Sequence, residues 1–276
     1  MNDLSADKII NPREFTSDGT AYTVTGESTS TLVFIHGVGM NADVWLGQTE
    51  HFAKEYKIIS YDFLGHGKSP MPSEDPILDE YVEQLYCLCN ELQLASFSLV
   101  GHSMGALIGV AFALKYPSKI NALIPINIVY NRTEKAQSRV LKRAEQVIAS
   151  SEVGGIKQTL ERWFSDKNSP KEKMKIAKIQ QWLSVVSPYG YGRAYRLFAL
   201  SDKVFMNKLS QLQMSVLYLT GDDDSNSTPE MSKKMAELTP RGEFYSIAKE
   251  AHMMAYIATE KTNKILGYFL NKHGKK

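Results

Sequence analysis

The sequence predicts an α/β fold, a mostly parallel central sheet flanked by helices and interrupted by a helical insertion. Through residue 127, short apolar runs that end in polar, Gly-containing loops alternate with stretches of helical periodicity, the pattern of parallel strands joined by crossover helices. From 128 to 200 the alternation stops, helical segments rich in Lys, Arg and aromatic residues take over, and strand-like runs resume afterwards. The predicted division is a core of residues 1–127 and 201–276, with a helical cap at 128–200.

The elements follow in order. Asp18-Gly19 turns a hairpin between Arg13 to Thr16 and Thr20 to Val24. The runs Thr31 to Ile35 and Tyr56 to Tyr61 read as buried strands, ending at His36-Gly37 and at Asp62. Leu78, Tyr81, Val82, Leu85, Leu88 and Leu92 form the apolar stripe of a helix over Ile77 to Leu92. A strand at Phe97 to Val100 leads through Gly101 into a buried helix, Ala106 to Tyr116, which Pro117 ends. Asn121 to Asn127, Ser215 to Thr220 and Glu243 to Ile247 complete the strands, and a helix around Thr259 to Leu270 closes the chain.

Composition narrows the function classes. With 276 residues, 43% hydrophobic, and 32 Lys+Arg against 30 Asp+Glu, the chain has material for one large core and no global field for nucleic acid or anionic membrane. Residues 1–5 lack the apolar run of a secretory signal and no segment is apolar for long enough to span a bilayer, so a soluble, cytoplasmic protein is expected. Lys272 to Lys276 reads as a frayed, solvated end. Cys87 and Cys89 read as buried, unpaired thiols.

Gly101-His102-Ser103-Met104-Gly105 is a Gly-x-Ser-x-Gly sequence between a predicted strand and a predicted helix, the context in which that motif exposes a nucleophile. The helix start offers free N–H groups to an oxyanion, the amide of Met104 first among them. Ser103 needs a base. His252, after the last predicted strand, is better placed than His51, His66, His102 or His273. The base needs an acid, and Gly221-Asp222-Asp223-Asp224 offers three just past a strand.

Together His36-Gly37-Val38-Gly39, Asp62-Phe63-Leu64-Gly65-His66-Gly67-Lys68-Ser69, the Ser103 turn, the Asp222 to Asp224 loop with Thr228-Pro229, and His252 resemble the α/β-hydrolase family across almost the whole chain. That resemblance implies a Ser103–Asp224–His252 triad and a second oxyanion donor at the Val38 amide, with His36 packed beneath its loop. Leu64 stands where the family has Arg, so that residue's salt bridge has no donor there and the Asp62 segment reads as a structural loop. Ser at the nucleophile position argues against the dehalogenase and epoxide hydrolase branches, which carry Asp.

The segments 36–45 and 227–231 look most like small catabolic hydrolases, oxoadipate enol-lactonases and amidases acting on acylaminomethylene-succinates. The reaction so implied is hydrolysis of a small carboxylated amide or enol ester, without metal or cofactor. Substrate choice is assigned to the cap, with Arg193 and Arg196 as carboxylate ligands and Tyr189 and Trp182 beside them. Two other readings share the fold: a carbon–carbon hydrolase, although its Gly-Pro-Gly-Ala stretch is absent, and a ligand receptor without turnover. The expected partner is a small molecule, with neither nucleic acid nor membrane, and a homodimer is left open.

Overall fold

A computed structural model describes residues 12–164 and 167–274; the first residues, on which the signal-peptide reading rests, and the last two lysines lie outside them. Eight strands form one sheet: β1 (Glu14–Phe15), β2 (Ala21–Thr25), β3 (Thr31–Ile35), β4 (Lys57–Tyr61), β5 (Phe97–His102), β6 (Ile120–Ile126), β7 (Ser215–Gly221) and β8 (Gly242–Ile247). Their order is β1-β2-β4-β3-β5-β6-β7-β8. β2 runs antiparallel to β1 and β4, and every pair from β4 to β8 is parallel.

Helix α3 (Met104–Lys115) packs against β3, β5 and β6, α2 (Leu78–Glu91) packs on α3, and α1 (Leu46–Phe52) packs beside the C-terminal helix. α4 (Glu134–Ser150), α5 (Ile156–Phe164), α6 (Pro170–Val185) and α7 (Pro188–Leu200) are inserted between β6 and β7. α8 (Pro229–Leu238), the short α9 (Met254–Ile257) and α10 (Thr259–His273) complete the chain. Every residue of β3 and of β5 is buried, as expected of central strands covered on both faces. Among the described residues no helix is long and apolar enough to cross a membrane.

This strand order fixes where chemistry can occur. The chain leaves β3 towards β4 on one side and returns to β5 on the other, so the loops after β3 and β5 diverge and leave a crevice between them. Phe34 pairs with Val100 and Ile35 with Gly101, which brings the ends of those strands level. His36-Gly37 and Ser103 therefore open side by side.

The loop after β4 keeps an ion pair although Leu64 cannot supply it. Arg13 reaches Asp62 through Nε (3.2 Å) and Nη2 (3.3 Å), and Asp62 also accepts the backbone N–H groups of Ala42 (2.8 Å) and Lys68 (3.0 Å). Both side chains are buried. Asp62→Ala is expected to destabilise the fold by about 2–4 kcal/mol, because it leaves the buried Arg13 guanidinium with Asp43 (2.9 Å) as its remaining carboxylate and strands two amides; urea unfolding measures it, and a loss under about 1 kcal/mol would contradict the structural assignment.

Two details differ from expectation, the exposure of one cysteine and the order of the basic end. Cys89 is buried but Cys87 is exposed, because residues two apart on a helix point about 200° apart and α2 buries one face. The basic end is helical as far as His273, which contacts Ser215 Oγ at 3.1 Å. Arg132, one of the cap's cations, is buried at the insertion's base: its N–H donates to Asp202 Oδ2 (2.6 Å) and its Nη2 to the Phe198 carbonyl (2.7 Å).

Candidate active site

Ser103 sits between β5 and α3 with φ +55° and ψ −111°, outside the regions a non-glycine residue ordinarily occupies. That strain is held by close packing. A Cβ at Gly105 would lie 2.4 Å from the Ile35 carbonyl oxygen, and one at Gly101 2.2 Å from that of Gly105, so only glycine lets the turn approach β3. The Ser103 side chain makes no capping bond to α3, which leaves its hydroxyl free for other partners.

Two amides are aimed by the carbonyls opposite them. In a trans peptide C=O and N–H point in opposite directions. The Ser103 carbonyl accepts the N–H groups of Ala106 (3.0 Å) and Leu107 (3.2 Å), so the Met104 N–H points outward from the helix start. The Gly37 carbonyl accepts from His36 Nδ1 (2.8 Å) and from the Met40 N–H (3.2 Å), which turns the Val38 N–H the other way.

Two buried histidines hold that second loop. The Phe63 N–H donates to His36 Nε2 (3.1 Å) and the Gly39 N–H to His66 Nε2 (2.9 Å), so in both rings Nε2 is the bare nitrogen and Nδ1 carries hydrogen. Burial pushes each down to about 3 from the ordinary 6.5, and both remain neutral. His102 is also pushed down to about 3, by burial first and the neighbouring His252 second, and its Nε2–H donates to the His252 carbonyl (2.8 Å).

His252 and Asp224 meet directly, His252 Nδ1 lying 2.7 Å from Asp224 Oδ2. The same oxygen accepts from Asn127 Nδ2 (2.7 Å), while Oδ1 accepts the N–H groups of Asn226 (2.9 Å) and Ser227 (3.1 Å). Burial works against the charge of Asp224, but His252 and these hydrogen bonds outweigh it and hold the carboxyl below its ordinary pKa. With Nδ1–H committed to Asp224, Nε2 of His252 is left as a base. Asp222 and Asp223 are exposed.

Ser103, His252, Val38 and Asn226 line one tight cavity, roofed by Arg162 and Trp163 of α5 and by Tyr191, Tyr195 and Phe198 of α7. The Trp163 ring lies 5.5 Å from that of His252. A larger open groove runs between α6 and α10, but neither Ser103 nor His252 lines it, so the smaller cavity is the candidate site.

The four cap residues assigned to the substrate lie away from this cavity. Arg193 donates from Nη1 to the Pro72 carbonyl (2.8 Å), Arg196 pairs with Asp75, and the exposed Tyr189 contacts Ser151 Oγ (3.1 Å). Trp182 packs 5.8 Å from Tyr256. None of the four lines the cavity. Tyr191, Tyr195 and Phe198 follow one helical face at intervals of four and three, and positions 189, 193 and 196 fall on other faces of the same helix. Sequence reasoning missed Arg162; its signal was the amphipathic run Ile156–Phe164, where Thr159 and Trp163 are buried and Arg162 flanks them. It missed Asn127 too, a residue held at φ +51° directly after β6.

Comparisons with known proteins place the chain in a family. A family model described as alpha/beta hydrolase fold matches residues 30–258. An (E)-2-((N-methylformamido)methylene)succinate hydrolase of Acinetobacter baylyi is 38% identical over 239 residues, 87% of this chain and 89% of that protein. A 3-oxoadipate enol-lactonase of the same organism is 26% identical over 201 residues, 71% of this chain and 72% of the other. Among solved structures, a thermophilic esterase from Thermogutta terrifontis superposes with a TM-score of 0.85 at 24% identity, over 95% of this chain and 98% of that one, a likeness of fold.

Proposed function

The chain belongs to the α/β-hydrolase family, and from that premise we propose that it hydrolyses a small carboxylated amide or enol ester through an acyl-enzyme on Ser103. The observation that carries this reading is the meeting, in one cavity, of Ser103, an Asp224-anchored His252 and the guanidinium-bearing Arg162.

His252 Nε2 takes the Ser103 proton as Oγ attacks the carbonyl carbon, and the oxyanion forms between the Val38 and Met104 amides. Each such donor is worth about 100 to 1,000-fold in turnover. The imidazolium, stabilised by Asp224, then protonates the departing nitrogen or oxygen, and water activated by the same Nε2 releases the acyl group. Support for an amide of a methylene-succinate as the substrate class comes from the Acinetobacter relative, whose name states such a substrate.

Arg162 takes over the carboxylate role first given to α7. Its buried Nε has no acceptor among the described residues, and an unsatisfied buried donor is costly unless a ligand meets it. Arg162→Ala is expected to raise KM about tenfold or more for carboxylated substrates and to leave neutral acetate esters within about twofold. Steady-state kinetics on (E)-2-((N-methylformamido)methylene)succinate and on phenyl acetate tests this; equal effects on both would reject the role, and binding without turnover by the wild-type protein would favour a receptor.

A further inference from the structure

Glu250 is a buried carboxylate that the proposed reaction does not use. It is 3% exposed and lies two residues before His252. Its Oε2 is 2.9 Å from Nζ of Lys167, in the segment between α5 and α6, an ion contact in which that oxygen accepts no hydrogen bond. Its Oε1 accepts from Nζ of Lys261 on α10 at 3.2 Å. Its backbone carbonyl accepts the N–H of Asp223, the residue before Asp224 (2.9 Å). One residue thus touches the insertion, α10 and the loop of the acid, beside the base.

The backbone around it is strained. Lys249 has φ +59°, a left-handed conformation that a non-glycine residue holds only where its surroundings impose it. Lys167 Nζ donates to the Lys249 carbonyl (3.0 Å) while pairing with the Glu250 side chain, so one ammonium meets both the carbonyl and the side chain that follow the strained φ. A second tie lies beyond the base: Lys175 of α6 donates to the Tyr256 carbonyl (2.6 Å) and to Thr259 Oγ1 (2.9 Å). The insertion thereby holds the His252 loop before and after the histidine, and α5 of the same insertion sets Trp163 against the His252 ring.

Burying this pair gives little net stability, because desolvating both charges offsets their attraction. What it gives is one geometry. We infer that Glu250 is a positioning residue: its carboxylate, gripped by Lys167 of the insertion, sets His252 over Ser103, so that the wall receiving the substrate and the base attacking it are aligned by one contact. The inference rests on the Ser103–His252 reading above.

The test is the rate of Ser103 phosphonylation by a fluorophosphonate, which needs an aligned base but no carboxylate recognition, measured with kcat, KM and thermal unfolding. Glu250→Gln is expected to slow labelling and kcat together by roughly ten- to a hundredfold, with KM little changed. The apolar pair Lys167→Met/Glu250→Leu is expected to melt at or above the wild-type temperature and still label slowly. Wild-type labelling by Glu250→Gln, or recovery of both stability and rate in the apolar pair, would overturn the inference alone. A wild-type protein that does not label would overturn the serine reading, and this inference with it.

Discussion

Asp224→Asn is expected to lower kcat by about four orders of magnitude and to leave the protein folded. The four hydrogen bonds at Asp224 determine the size of the effect. Oδ1 accepts two backbone N–H groups, from Asn226 and Ser227, and Oδ2 accepts from Asn127 and His252. An asparagine must turn its oxygen towards the two backbone donors, which presents its NH₂ to His252 Nδ1. The imidazole then carries its hydrogen on Nε2 and cannot take the proton of Ser103, the wrong-tautomer defect that costs about 10⁴ in serine-protease triads. Steady-state kinetics and a melting curve on the variant measure both halves of the expectation. A fall below a hundredfold would point to another acid, and the exposed Asp222 and Asp223 would be the next to replace.

Stability is expected to fall steeply with acid between pH 6.5 and pH 3. His36, His66 and His102 are buried neutral, each pushed down to about 3. Unfolding returns them to the ordinary 6.5, so across this window the unfolded chain binds more protons than the folded one, and stability rises with pH. The contribution is fully present above 6.5 and is lost as pH falls towards 3. Each histidine gives at most about 1.4 kcal/mol per pH unit, and three together up to about 4 kcal/mol per unit, enough to consume the stability of an ordinary domain within two or three units. Asp224, held below its ordinary pKa, adds a further loss below the normal carboxylate range. Urea unfolding at a series of pH values reads the slope, and His66→Gln, which keeps an acceptor for the Gly39 amide, is expected to flatten it by about one proton. A flat profile from pH 6.5 to 4.5 would contradict the account.

These histidines explain why acid should disable the site as it loosens the fold. His36 and His66 anchor the carbonyl and amide on either side of Val38, and His102 holds the His252 carbonyl. Protonating His36 or His66 removes the acceptor of a backbone N–H, so the loop that aims an oxyanion donor is released by the same event.

What was legible in the sequence was what local rules govern. The run Thr31 to Ile35 is a strand over those same residues because a short apolar run between polar punctuation has few other stable forms. The turn at Ser103 was legible because only glycine permits the approach of Gly105 to β3. What was not legible depends on which side of a helix the rest of the chain covers. Arg193 and Arg196 have the right chemistry on the wrong face of α7, whereas Arg162 reaches the cavity only because α5 lies over His252. The Arg13–Asp62 pair joins residues 49 apart, and no spacing rule announces it. Cys87 was misread because helical phase, not residue type, decides which of two nearby thiols is buried.

The central claim is that Ser103 is the nucleophile, and peptide mass mapping after fluorophosphonate treatment tests it most directly. The account predicts one adduct, on Ser103, with hydrolysis lost in parallel and with neither adduct nor hydrolysis in Ser103→Ala. An adduct on another residue, or a Ser103→Ala protein that still turns over substrate at the wild-type rate, would contradict it.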